Sequence, residues 1–448
     1  MQTLLTPIAQ ALNLDTDAVR WQGIGALPSA FAVTELAAAS VAACGLALAH
    51  LLEAPLERCP LVRVDRRLAS CWFASSLRPQ GWSPPPVWDA IAGDYAARDG
   101  WIRLHTNAPH HRAAALQVLG CQAQRESVAK QVAQWDADTL ESAVVAAGGC
   151  AARMRNELDW CEHPQGRAVG AEPLVLRDTF TAVPLAWHGS ETRPLAGIKV
   201  LDLTRILAGP IATRLLAGFG AQVLRIDPPE WNEPAAVAEV TLGKRCARLD
   251  LRSSEGQAIF QALLADTDIL VHGYRADALE RLGLGAAQRR LLNPGLIDIS
   301  LNAYGWSGPW QNRRGFDSLV QMSSGIAHAG QRWQQTERPV PLPVQALDHA
   351  TGYLMAAEAI RALGERLRSG QSCRARLSLA RTARLLVERG TVEEDLPLAA
   401  ESADDIDPSL EHTPWGPAHR LKGPLKVGEA LMAWDHGACE LGSSKPSW

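Results

Sequence analysis

Asp348 stands in the segment DHATG, a D-x-x-x-G spacing that opens a long apolar stretch ending near Leu363. An aspartate at such a place ordinarily caps a helix. It can also do chemistry. An ionised carboxylate is a weak nucleophile, but an apolar pocket at a helix start orients and partly desolvates it. Backbone N–H groups at the same helix start can hold an oxyanion. A second carboxylate, Asp317 in RGFD, either lines that site or caps a helix over residues 318–323. Arg205 adjoins a turn, where it could meet a substrate carboxylate or lie on the surface. Leu207 suits an apolar acyl pocket or ordinary core packing. His349, His328, Cys246 and Cys44 read as packed side chains.

The elements that must position these residues are legible upstream. Ile198 to Leu203 is an apolar, β-branched run of strand length. Thr204 to Pro210 turns the chain, with Pro210 at a first helical position. Ile211 to Ala217 fits a helix, Gly218 and Gly220 its end, and Val223 to Ile226 a second buried strand. A βαβ unit leaves a crevice at the carboxyl ends of its strands. The G-x-G-x-x-G fingerprint is missing, which argues against NAD or FAD.

Five further pieces follow in order: Leu242–Gly256, Asp266–Gly285, Leu292–Trp310, Arg314–Gly325 and Leu342–Leu363. The series resembles the class III CoA-transferases, the formyl-CoA transferase and carnitine/bile-acid CoA-transferase family. The resemblance implies an α/β fold: a Rossmann-like large domain with a parallel sheet, plus a small α/β domain. It implies CoA transfer between an acyl-CoA and a carboxylic acid, with CoA as substrate and no prosthetic group or metal. In that family a carboxylate attacks the thioester, a mixed anhydride forms, and CoA leaves and returns. Asp348 is in register with the family's catalytic aspartate. Arg205, Leu207, Tyr304, Phe316 and Asp317 fall at substrate-binding positions. Lys244, Arg245, Arg275, Arg281 and Arg314 fall where the family places basic residues around CoA phosphates. The family's usual acidic-then-arginine stretch is replaced by Pro228-Pro229-Glu230. Racemase relatives carry a histidine where Phe316 stands, and a phenyl ring cannot move a proton. A racemase- or dehydratase-like activity and a non-catalytic CoA-binding role are the alternatives.

The chain also resembles itself. Ala32–Leu52 matches the pattern of Gln345–Glu365, and Val62–Ser70 matches Ala375–Ala383, both at an offset of 313 residues. Glu35 then stands at the position of Asp348, with no βαβ unit before it. Asp89–Asn107 carries a hairpin signal at Asp99-Gly100, and three helical patterns follow up to Gly149. The reading divides the chain into an N-terminal helix-strand piece of the large domain (1–80), the small domain and a linker (81–190), the Rossmann-like core (191–390), and a crossover and tail (391–448). The fused partial repeat makes a homodimer or an intrachain pseudo-dimer the expected assembly.

Apolar residues make up 47% of the chain and charged residues 21%, so a packed core is expected. The net charge of −4, with no long basic run, argues against nucleic acid. No apolar run is read as membrane-spanning, and no signal-peptide pattern is seen. Nine cysteines without paired spacing suggest reduced thiols in a cytoplasm.

Overall fold

The computed structural model describes residues 3–275, 277–392 and 396–448. The chain opens with helix α1 (Leu5–Leu12), strand β1 (Val19–Gln22), helix α2 (Val33–Leu56), strand β2 (Val62–Asp65) and helix α3 (Arg66–Trp72). A three-stranded antiparallel sheet follows: β3 (Gly93–Ala97), β4 (Gly100–Leu104) and β5 (Ala151–Arg153). Its hairpin turns at Asp99-Gly100, as the sequence suggests. The helices Pro109–Leu119, Arg125–Val132 and Ala137–Ala146 pack on it through Leu119, Val128 and Leu140, forming a core of its own.

The large sheet comprises β6 (Leu176–Thr181), β7 (Lys199–Leu203), β8 (Gln222–Asp227), β9 (Lys244–Arg248), β10 (Ile269–His272), β11 (Ile297–Asn302) and β12 (Gln371–Ser378). Their spatial order is β9-β8-β7-β10-β11-β12-β6. All pairings are parallel except that of β6 with β12. Strands buried on both faces of such a sheet need near-continuous apolar runs, and Ile269–Val271 supplies one. Strand β6 therefore belongs to the large sheet, not to the small domain and linker where the sequence reading set residues 81–190. The order reverses between β7 and β10, which places a topological switch point at their carboxyl ends.

The helix after β7 is α4 (Ala208–Gly218), three residues longer at its start than the sequence reading. Pro210 lies inside its first turn, where a missing N–H costs nothing. Helices α5 (Asp317–Ser323), α6 (Ala346–Ser369) and α7 (Leu379–Glu388) complete the framework.

Helices α2 and α6 pack on each other in the centre of the core; both run 24 residues. Their starts follow one course. Ala32 has φ −72°, ψ 61° and Gln345 has φ −76°, ψ 63°. Val33 N–H donates to Phe31 O at 2.8 Å, and Ala346 N–H to Val344 O at 2.8 Å. Beyond each helix comes a strand and then another helix, capped by Asp65 in one case and Ser378 in the other. The sequence reading found no apolar run of membrane-spanning length, and α2 corrects it. By length and composition α2 could cross a bilayer, yet it is largely buried within the fold. Of the expected crossover, residues 393–395 lie outside the described set. Asp405 in its later part forms a two-pronged pair with Arg67.

Candidate active site

Asp348 lies in the first turn of α6. One turn further, Gly352 abuts α4 so closely that a Cβ there would sit 2.3 Å from Ala208 O. Residues i and i+4 share a helix face, so the face of α6 that carries Asp348 packs on the start of α4, the helix that follows the switch-point strand β7. Asp348 is 9% exposed. Its carboxylate has no hydrogen-bond partner among the described residues. Burial, and then the nearby charge of Asp317, push its pKa well above the usual carboxylate range.

Asp317 neither lines an open pocket nor caps only its own helix. Its Oδ2 accepts from Leu347 N–H at 2.8 Å and Asp348 N–H at 2.9 Å, while Oδ1 accepts from Gln321. Asp317 is thus the cap of α6, supplied from α5. Burial pushes its pKa up to about 6, against the opposing pull of these hydrogen bonds. Ala346 N–H and His349 N–H are also taken, by Val344 O and Gln345 O. The helix-start N–H groups are therefore spent internally. The expectation that they hold an oxyanion is corrected.

The turn after β7 is pinned by two carboxylates. Asp202 Oδ1 accepts from Thr204 N–H and hydroxyl, at 2.8 and 2.5 Å. Glu233 Oε2 accepts from Ile206 N–H at 2.8 Å and Trp231 Nε1 at 3.2 Å. Between them Ile206 is held at φ 68°. That region is unfavourable for a β-branched residue, costing about 1–3 kcal/mol. Arg205 donates to Tyr274 Oη at 3.0 Å and lies 4.8 Å from the Trp231 ring centroid. Leu207 is half-buried against the main core.

Several expected contacts are overturned. Lys244 is fully internal; its Nζ donates to Asp202 Oδ2 at 3.0 Å and Pro210 O at 2.9 Å, so it is not free for a phosphate. Arg245 on the same edge strand donates to Ser447 O at 2.6 Å, holding the C-terminal tail. Tyr304 is buried, with its hydroxyl 3.2 Å from Ser323 Oγ, and its carbonyl accepts from Gln165 Nε2 at 2.7 Å. Neither its ring nor that carbonyl is available to substrate. The backbone of Trp306 and Ser307 donates to Glu172 in turn. His349 stacks on Phe73 at 4.9 Å.

The remaining basic residues group elsewhere. Arg281 pairs with Asp277 at 3.0 Å. Arg314 donates to Gly148 O at 2.8 Å. Arg275 is held below its usual range by burial first and then by the charge of Arg314. The five expected CoA contacts therefore do not form one patch. Phe316 packs face to face with His105 at 3.7 Å and edge-on to His111 at 5.8 Å. The sequence reading missed both histidines. They arrive from the small domain, and no spacing in the chain joins them to Asp317. Glu35 is engaged as well: Leu4 N–H donates to its Oε1 at 2.6 Å and Arg389 Nε to its Oε2 at 3.1 Å.

Residues 195–409 match the model of CoA-transferase family III. The acetyl-coenzyme A transferase nodX of Hypoxylon pulicicidum is 29% identical over 314 residues, 64% of this chain and 53% of the relative. The succinyl-CoA–D-citramalate CoA-transferase of Chloroflexus aurantiacus is 34% identical over 193 residues, 40% of this chain and 47% of the relative. A CAIB/BAIF family protein from Brucella suis aligns in structure over 51% of this chain and 65% of its own, at 25% identity and a TM-score of 0.41. The chain spans about half the length of the curated relatives it matches. The match begins at the first strand of the parallel core and runs through the turn, the Asp317 cap and the helix of Asp348, so this part of the chain is similar to CoA-transferase family III.

Proposed function

We propose that the chain moves CoA from an acyl-CoA thioester to a carboxylic acid, with Asp348 as nucleophile. The reading rests chiefly on one observation. Asp348 presents an unpartnered, nearly buried carboxylate at the start of a helix that packs, at Gly352, on the helix following the switch-point strand. A carboxylate stripped of hydrogen bonds and water is raised in energy before attack. Its oxygen attacks the thioester carbonyl, the C–S bond breaks, and CoA leaves as thiolate, giving an aspartyl–acyl anhydride. The thiolate returns to the aspartyl carbonyl and releases the first acid as carboxylate. The acceptor carboxylate then attacks the aspartyl thioester. A second return of thiolate, now at the acceptor's carbonyl, frees Asp348.

Asp317 is the positioning residue in this scheme, since it fixes the backbone of Asp348 without occupying its side chain. Arg205, Tyr274 and Trp231 offer a cation and two aromatic faces at the crevice, suited to the CoA end of the substrate. Arg281 and Arg275 lie beyond the next strand of the sheet, where phosphates could reach them.

Hydroxylamine trapping tests the reading. Incubation with acyl-CoA and hydroxylamine should convert Asp348 to its hydroxamate, detected by peptide mass. Transfer without any modified Asp348 would refute the nucleophile. Acyl-CoA binding without turnover over a panel of acids would point to a non-catalytic family member.

A further inference from the structure

The end of the chain covers the free edge of β9. Gly243 N–H donates to His436 O at 2.9 Å, and Ser444 N–H donates to Cys246 O at 2.8 Å. Cys439 N–H donates to Thr241 Oγ1 at 3.1 Å, and the Cys439 thiol donates to Lys244 O at 3.4 Å. Trp448 Nε1 anchors the last residue on Leu263 O at 3.1 Å. The tail therefore passes Cys246 between Cys439 and Ser444, and this brings two sulphurs together. The Cys439 sulphur, as thiolate, accepts from the Cys246 thiol and from the Ser443 hydroxyl.

The two thiols differ in kind. Cys246 is completely buried, and its contact with Cys439, followed by burial, pushes its pKa well up. Cys439 is half-buried and within reach of a small solute. Its pKa falls to about 7, through the Cys246 hydrogen bond first, against burial, and then through Ser443 and the charges of Lys244 and Arg225. Partly exposed thiols beside cations are the reactive ones. One that stands next to a second thiol can pass from sulfenic acid to a disulfide. Cys59 makes the contrast: it is more exposed, yet burial, Glu53 and Asp15 raise its pKa.

We propose that Cys439 and Cys246 are a peroxide-responsive pair whose disulfide locks the C-terminal tail onto the edge of the large sheet. The Cys439 thiolate attacks one oxygen of hydrogen peroxide. The O–O bond breaks, and hydroxide leaves and takes up the proton that the thiol released, giving water and a sulfenic acid. The Cys246 sulphur then attacks the Cys439 sulphur. The S–O bond breaks, and the hydroxyl leaves with the Cys246 proton as a second water. Two thiols are oxidised to one disulfide, and one peroxide is reduced to two waters. The bond closes on the strand whose Lys244 holds Asp202 and, through it, Thr204 in the turn after β7.

Peptide mapping of the reduced full chain tests this, after treatment with equimolar hydrogen peroxide, blocking with N-ethylmaleimide and digestion without reductant. The Cys246 and Cys439 peptides should appear joined, and dithiothreitol should part them. In Cys246→Ser, Cys439 should stop at the sulfenic acid and be captured by dimedone. In Cys439→Ser, Cys246 should stay reduced; this variant alters only the half-buried tail, so it keeps the comparison open if Cys246→Ser fails to fold. Before oxidation, iodoacetamide at neutral pH should label Cys439 at least about tenfold faster than Cys59. Hydrogen exchange at the Gly243 and Ser444 amides, which tie tail to strand, should slow at least about tenfold in the oxidised protein. Both cysteines left unlinked by peroxide overturn the proposal, and so does Cys439 driven to sulfinic acid while Cys246 stays free. Faster labelling of Cys59 overturns the choice of Cys439 as the attacking thiol. Unchanged exchange in the linked protein overturns the lock.

Discussion

Asp317 Oδ2 takes the backbone N–H of Asp348 at 2.9 Å, so one carboxylate fixes the position of another while adding negative charge beside it. The pair trades ease of ionisation for geometry. Burial raises the proton affinity of both groups, and the charge on Asp317 raises that of Asp348 further.

Asp317→Asn should separate these effects. Its amide oxygen can still accept from α6, but the charge is gone. If ionised Asp348 is the nucleophile, the acid limb of the kcat/KM profile should move to lower pH. Stability should respond too. A carboxyl raised in the folded state stabilises it fully below the unfolded value of about 3.9. That contribution is lost as pH rises through the folded value, about 6 for Asp317. Unfolding free energy in Asp317→Asn should therefore decline less between these limits, as denaturant titrations at stepped pH would show. An unmoved limb would argue that Asp317 does not act on Asp348.

Asp348→Asn should cut transfer below about one thousandth of wild type, because an amide cannot form the anhydride. It should also raise the melting temperature near neutral pH, since it removes a buried charge that lacks partners. Calorimetric melting and a CoA-exchange assay on one preparation check both. Near-normal turnover would end the nucleophile reading.

Glu35→Gln should leave most activity in place. Glu35 stands in register with Asp348, yet its oxygens are committed to Leu4 N–H and Arg389. A glutamine keeps an acceptor for Leu4 and loses a mostly buried ion pair, so it costs stability while leaving the reaction intact. A dead Glu35→Gln enzyme with an unaltered melt would show that this second carboxylate takes part in the chemistry.

Lys244→Met should behave as a stability mutant, contrary to its expected place at a phosphate. It strands Asp202, which is completely buried and anchors Thr204 and Thr213. Breaking a buried pair by removing one partner costs about 3–5 kcal/mol. Urea unfolding should show a loss of that order. Unchanged stability with weakened CoA binding would restore the original reading.

The parallel core was legible because strands such as Ile269–Val271 are apolar without interruption and the turns carry glycine and proline. Asp348 was legible because a motif surrounds it. What escaped lay in relationships across the fold. Asp317 reads as a cap from its position, but the helix it caps begins about thirty residues later. Lys244 reads as a phosphate contact, since its partner Asp202 lies two strands away. His105 and His111 sit in an unremarkable hairpin and helix start; only the docking of the small domain on α5 brings them to Phe316. The apolar length of α2 was overlooked because its many alanines look like compact core, which is where the fold puts them.

The pairing of α2 with α6 has a consequence in time. The partner that covers α2 is encoded about 300 residues downstream. At 5–20 residues per second, a ribosome needs between about 15 and 60 s to deliver it. For that interval a helix long and apolar enough to cross a membrane lacks its main companion, with only α1, β2 and α3 to cover it. The nascent chain must pass through a stage at which this apolar helix is only partly covered. Slowing synthesis between the two helices should therefore lower the yield of soluble protein more than slowing it after α6, and co-expressed chaperones should recover the difference.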